Sequence, residues 1–294
     1  MWKFEFDNKK RSQLPSIISI EPFAIGLTHP GHMEFTKDGR LLVSEFGKGQ
    51  VTEITEGGDF RNSKPFAYNL GHPAGIVTNY DGDKILVADA GLQKIIDITN
   101  GGDASKCPVI YDGLKGAYGM TVFKNELYAV YSNEKENGLV KVNGKSFSED
   151  DIFSGGYPNT SHNLPYFNSV EGGNCGSWAA VALGNRLLYT VAGNGTIYDV
   201  TEGKNYDVKG GGEYITGLNN PLGSWYVPQF GYLFIAERNS GNIKIMPEKG
   251  GYAKYYPAIL TGLKQPSCLR FSPDLKAMYV CDFANNAVMK ISFG

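Results

Sequence analysis

Charge of one sign is almost missing from this 294-residue chain: 28 Lys and Arg stand against 30 Asp and Glu, a formal net charge of −2. That balance excludes a broadly basic nucleic-acid binder. Cysteine is scarce, four in all and never as Cys-x-x-Cys, so no disulfide framework is spelled out. Cys268 and Cys281 can face each other across one hairpin, as buried thiols or, alternatively, as a disulfide. No run approaches the ~20 apolar residues of a membrane helix. The opening stretch MWKFEFDNKKR lacks the apolar core of a secretory signal. The expectation is a soluble, cytoplasmic protein that uses no membrane. No P-loop, dinucleotide glycine fingerprint, Gly-x-Ser-x-Gly or His-Glu-x-x-His occurs, so neither nucleotide nor flavin is expected. Helical periodicity over three turns is absent.

Glycine (38 residues), tyrosine (18) and phenylalanine (16) are plentiful, which points to many tight turns and many strands. One phrase recurs, Leu, two residues, then usually Pro: Gly26-Leu27-Thr28-His29-Pro30, Asn69-Leu70-Gly71-His72-Pro73, Gly113-Leu114-Lys115-Gly116-Ala117, Gly217-Leu218-Asn219-Asn220-Pro221 and Gly262-Leu263-Lys264-Gln265-Pro266. A second phrase follows each copy: a short apolar strand, a polar turn, and a second apolar strand that often ends in an acid. Its ends are Glu45, Asp89, Tyr131, Ala192, Glu237 and Asp282, at offsets of 44, 42, 61, 45 and 45 residues. A third strand follows in every copy, as in Gln50-Val51-Thr52-Glu53-Ile54.

Each unit therefore holds about four short strands and cannot cover both faces of its own sheet. Six copies arranged radially can. The fold expected is all-β, a six-bladed β-propeller over residues 1–294, with four antiparallel strands per blade. The last copy has three strands, and the segment from Ser16 to Ile25 stands where a fourth belongs, so the N-terminal strand is expected to close the last blade. The third-to-fourth spacing is long, which reads as an insertion at 143–176, a lid or rim loop or else a tolerated surface excursion.

The phrase Pro-x-Gly, strand, Asp-Gly, strand, Val-x-acid resembles the NHL repeat. It is similar to the blades of the streptogramin (virginiamycin B) lyase family and, more distantly, the SMP-30/gluconolactonase group. The resemblance implies that loops leading into the first strand and out of the second share the face that carries a ligand site at the mouth of the central channel.

Aligned units give columns. Before the first strand stand His29, His72, Asn220 and Gln265; at its start stands His32 where other units have small residues; after the second strand stand Glu45, Asp89, Glu237 and Asp282. The acids are candidate ligands for a divalent cation (Ca or Mg), with capping of a turn as the alternative. A residue before proline is expected to be extended. His32 and Glu45 are 13 positions apart on adjacent antiparallel strands, a spacing that suits a base oriented by a carboxylate. The resemblance carries a catalytic His and Glu onto the same two residues, and His72 joins them as a catalytic candidate. Glu34 and Arg270 occupy one slot in the first and last units, which ring closure makes neighbours. They form an ion pair that pins closure, or Arg270 binds an anion. Tyr118, Trp178 and Trp225 are core or a stacking wall for a ligand. The function expected is a small-molecule enzyme of lyase or lactone-hydrolase type. The alternatives are a non-catalytic propeller that binds a ligand such as a glycan, or a protein partner, or columns that only cap turns.

Overall fold

The second strand of a unit shows why the units must stack. Leu41–Glu45 and Ile85–Asp89 carry no exposed residue. Leu42 packs with Ile76 of the next unit, whereas its neighbour Val43 packs with Cys268 and Val288 of the previous one. Alternate side chains thus bury against opposite neighbours, and only a closed ring gives every unit both. The computed structural model describes residues 14–132, 136–158, 177–203 and 212–294, and shows a six-bladed β-propeller. Its inner strands are Pro30–Phe35, Pro73–Thr78, Met120–Phe123, Ser177–Leu183, Pro221–Val227 and Pro266–Phe271. No α-helix occurs among the described residues, and among them no helix is long and apolar enough to cross a membrane.

The last sheet orders Pro266–Phe271, Ala277–Asp282, Ala287–Phe293 and then Ile17–Ile25. The pairing runs antiparallel from Ile17 opposite Phe293 to Ile25 opposite Ala287. Ser16 and Gly294 exchange both backbone hydrogen bonds, at 3.2 and 2.9 Å. The N-terminal strand therefore closes the ring as expected.

Four inner strands open on Pro30, Pro73, Pro221 and Pro266, so His32 is the third residue of its strand rather than the first. An inner strand has no ladder partner on the axis side, and a missing N–H costs nothing there. The residues before these prolines are not all extended: His29, Asn220 and Gln265 are left-handed, with φ of 51°, 54° and 59°. Neighbouring inner strands come very close. A Cβ on Gly223 would lie 2.5 Å from the Ser267 carbonyl oxygen and 2.7 Å from Cys268 Cα, so only glycine fits there.

Two sequence boundaries move. Ile152–Pro158 is the fourth strand of blade 3, paired with Glu136–Lys141, so it belongs to the blade rather than to an insertion at 143–176. Residues 159–176 of that segment lie outside the described residues. In blade 4 the second strand, Arg186–Val191, ends at Val191, and Val181 pairs with Leu188. The residue equivalent to Glu45 is therefore Val191, and Ala192 follows it.

Candidate functional site

The four acids face their own turns. Glu45 accepts from the Thr28 amide at 2.7 Å, Gln50 Nε2 at 2.6 Å and Thr52 Oγ1 at 2.5 Å. Asp89 accepts from the amides of Gly71, His72 and Leu92 at 2.7, 2.9 and 2.9 Å. Glu237 accepts from the Asn219 amide at 2.9 Å and Ser240 Oγ at 3.0 Å. Asp282 accepts from the Lys264 amide and Asn285 Nδ2, both at 2.7 Å. Each carboxylate thus caps the Leu-x-x phrase 17 or 18 residues before it in the chain. Among the described residues no three His, Cys, Asp or Glu side chains gather as metal ligands. The acid column, expected to converge on a divalent cation, does not fit one: its oxygens are spent on N–H and O–H donors, blade by blade.

Asp282 has a measurable consequence. Burial outweighs its hydrogen bonds and lifts its pKa from 3.8 to about 6. The folded protein then holds this proton more tightly than the unfolded chain does. Its contribution is fully present below about pH 4, is lost as the pH rises towards about 6, and stays constant above that. Asp282→Asn keeps an oxygen for the Lys264 amide and removes the titration. Urea unfolding from pH 4 to 7 is expected to show a fall in stability about 3 kcal/mol smaller in the variant over that window. Equal falls would refute the assignment.

The imidazoles of the upper column stack rather than ligate. His29 lies parallel to Phe283, centroids 4.7 Å apart, and partial burial lowers its pKa. His72 tilts on Phe46 at 4.9 Å. Asn220 Nδ2 donates to the Ala192 carbonyl at 3.4 Å, and Gln265 Oε1 accepts from Arg238 at 3.0 Å. Each of these residues touches the preceding blade, so the column ties blade to blade. Below it Phe46, Ala74, Ala192, Leu222 and Phe283 form one buried cluster, with Tyr118 packed against it. One residue comes from each of the six blades, and six blades meet only at the axis. The mouth expected to hold a polar site is therefore filled by an apolar plug. Sequence alignment passed over Phe46 and Phe283; an aromatic directly after the capping acid was the available signal.

Deeper in the channel lies the charged cluster. Arg270 and His32 are both buried. Arg270 Nε donates to Glu34 Oε2 at 3.2 Å, Nη1 to the Leu269 carbonyl at 2.9 Å, and its guanidinium lies 4.2 Å from the Trp225 ring centroid. Its Nη2 is 3.2 Å from His32 Nε2. The Ile76 amide of blade 2 donates to His32 Nδ1 at 3.3 Å. Four blades thus contribute to one spot. His32 and Glu45 share no hydrogen bond: an irregularity between Pro30 and Met33 shifts the register and sets Glu45 opposite Pro30. The Trp178 side chain lies outside the described residues. Cys268 and Cys281 are opposite in register, buried and free.

Burial, and then the charge of Arg270, push the His32 pKa well down, so the ring is neutral. With Nδ1 accepting from Ile76, the single ring proton is assigned to Nε2. Nε2–H and Arg270 Nη2–H are then two donors with no acceptor between them, a cradle for an oxygen that gains negative charge. Burial raises the Glu34 pKa against the pull of Arg270, which moves it towards the range of a useful base.

No protein-family profile and no curated protein matches the chain. Solved structures do. A gluconolactonase-type protein superposes with a TM-score of 0.66 at 11% identity, covering 99% of this chain and 98% of its own. An oxidoreductase (glucose dehydrogenase) from Thermus thermophilus gives 0.65 at 14%, covering 93% and 99%. An inactive variant of virginiamycin B lyase from Staphylococcus aureus, solved with quinupristin, gives 0.58 at 13%, covering 94% and 99%. At these identities the likeness is one of fold, and the same fold serves different chemistries in those proteins.

Proposed function

We propose that this chain is a small-molecule enzyme whose reacting centre is the channel cluster of His32, Glu34 and Arg270, with lyase or lactone-hydrolase chemistry. The observation that supports the reading is the buried contact of Arg270 Nη2 with His32 Nε2 at 3.2 Å, which becomes a pair of adjacent donors once the ring proton is assigned to Nε2. Both reaction types put negative charge on a carbonyl oxygen, and this cradle would hold it. In elimination, Glu34 takes the proton α to the carbonyl. The electron pair moves to the cradled oxygen, then returns to expel the β-leaving group with its electrons. In lactone hydrolysis, Glu34 takes a proton from attacking water, and collapse of the oxyanion expels the ring oxygen, which takes the proton back. A neutral His beside a carboxylate base suits either step. The roles differ from those first read: His32 polarises instead of serving as the base oriented by Glu45, and Glu34 is the base.

A panel of lactones and of esters with a β-leaving group is expected to contain a substrate. Arg270→Lys or His32→Phe should lower its kcat by about 10²–10³, and Glu34→Gln should remove the acid limb of the pH profile. The reading is lost if no member turns over, or if turnover is indifferent to all three changes. Binding without turnover would favour the non-catalytic propeller.

A further inference from the structure

The residues level with Arg270 are identified by register. Counting three residues back from Glu45 and its equivalents Asp89, Tyr131, Val191, Glu237 and Asp282 gives Leu42, Leu86, Tyr128, Leu188, Phe234 and Tyr279. Their inner-strand partners are Glu34, Val77, Thr121, Val181, Trp225 and Arg270. This ring is lopsided. Among the inner-strand residues, blades 5, 6 and 1 supply the aromatic and charged groups, whereas blades 2, 3 and 4 supply Val77, Thr121 and Val181. Burial differs along the axis too. Five of the six plug residues are 1–4% exposed, and the sixth, Tyr118, is half-buried. At the lower ring Arg270 and Val181 reach 6%, Val77 9%, and Thr121 and Trp225 are half-buried. Four of the inner strands become half-buried only in their later residues, at Glu34 and Phe35, Thr78, Thr121 and Val122, and Trp225 and Tyr226. Residual exposure of the inner strands thus rises towards the end where first and second strands join in hairpins, opposite the plug.

Charge narrows the occupant. At this level Arg270 carries the one positive charge and Glu34 the one negative, paired at 3.2 Å, and His32 is neutral. A carboxylate-bearing ligand would be repelled by Glu34, and a cation by Arg270. We infer that the channel is a blind pocket, sealed at the loop end by the six-blade plug and opened at the hairpin end, that takes an uncharged carbonyl compound between Arg270–Trp225 and the wall Val77–Thr121–Val181. The inference rests on the proposed reaction centre for its ligand class, and on the burial gradient alone for its direction of access.

The test uses Trp225 as reporter. The chain has three tryptophans, so Trp2→Phe with Trp178→Phe leaves it alone. Acrylamide, an uncharged carbonyl compound, is expected to quench its emission, and iodide to quench it far less. Thr121→Phe narrows the hairpin end and should remove most of the acrylamide quenching, with Thr121→Ser keeping it. Phe283→Ala loosens the plug and should leave it unchanged. δ-Valerolactone should shift the Trp225 emission, with a Kd at least about tenfold weaker in Thr121→Phe and no competition from succinate. Circular dichroism confirms that each variant is folded; should Thr121→Phe unfold, Val77→Leu takes its place. Quenching absent in the parent, equal for iodide, or governed by Phe283 and not Thr121 overturns the inference. Lactone binding with no turnover of any substrate would leave the pocket standing and remove the enzyme reading. Turnover with iodide-equal quenching would do the reverse.

Discussion

Glu34→Ala is expected to destabilise the protein by about 3 kcal/mol or more, because it strands a buried guanidinium. Arg270 keeps the Leu269 carbonyl and the Trp225 face, but neither supplies negative charge. For a domain of this size that loss lowers Tm by roughly 6–12 °C. Replacing both partners, Glu34→Leu with Arg270→Met, is expected to restore most of the stability, since desolvating two charges offsets much of their attraction. Differential scanning fluorimetry with urea melts on the two single variants and the double completes the cycle. A Glu34→Ala protein as stable as the parent would show that Arg270 is compensated elsewhere. A double variant no better than the singles would show that the pair is indispensable to the seam between blades 6 and 1.

Removing the closing strand is expected to cost more. Deleting residues 1–26 takes away the whole ladder opposite Ala287–Phe293 and exposes Met289 and Ile291, which pack in the core of the last blades. Ile17 and Ala24, both buried, leave with it. The loss should be at least about 5 kcal/mol from apolar burial alone, or roughly 10–20 °C in Tm. The bared edge is also a template for pairing with other chains. The truncated protein should therefore form oligomers detectable by size-exclusion chromatography with light scattering. Supplying the peptide from Ser16 to Gly26 in trans should reduce them. A monomeric truncation that melts with the parent would contradict closure by this strand.

The architecture was legible because it is written in repetition. Six copies of the second-strand phrase and five of the Leu-x-x phrase fix the strand order, and the surplus strand at Ser16–Ile25 fixes the seam. Glu34 and Arg270 were also found as neighbours, since slot equivalence and closure suffice to bring them together. The candidate site was harder to read for three physical reasons. Glu45 was read beside His32 from their spacing alone, whereas the register of Met33 with Val43 sets His32 level with Ser44, and an irregularity after Pro30 moves Glu45 one residue further, opposite Pro30. The capping role of the acids depends on amides 17 or 18 residues earlier, and a column of side chains does not report where backbone N–H groups point. The plug is made of residues from unlike columns, Phe46 and Phe283 from one, Ala74 and Leu222 from another, so no single aligned position reveals it. Blade 4 adds a slip of one residue, because its long approach, partly outside the described residues, hides the phase until Val181 is seen opposite Leu188.

The reciprocal hydrogen bonds between Ser16 and Gly294 place both ends of the seam's two strands at one corner of the last sheet. Tension applied to those ends would act on that corner first and then on one rung at a time. The ladder would peel like a zip instead of shearing as a block. A ring that withstands heat through the sum of its rungs would thus yield to a small pulling force, and single-molecule extension would find its weakest direction along the line through Ser16 and Gly294.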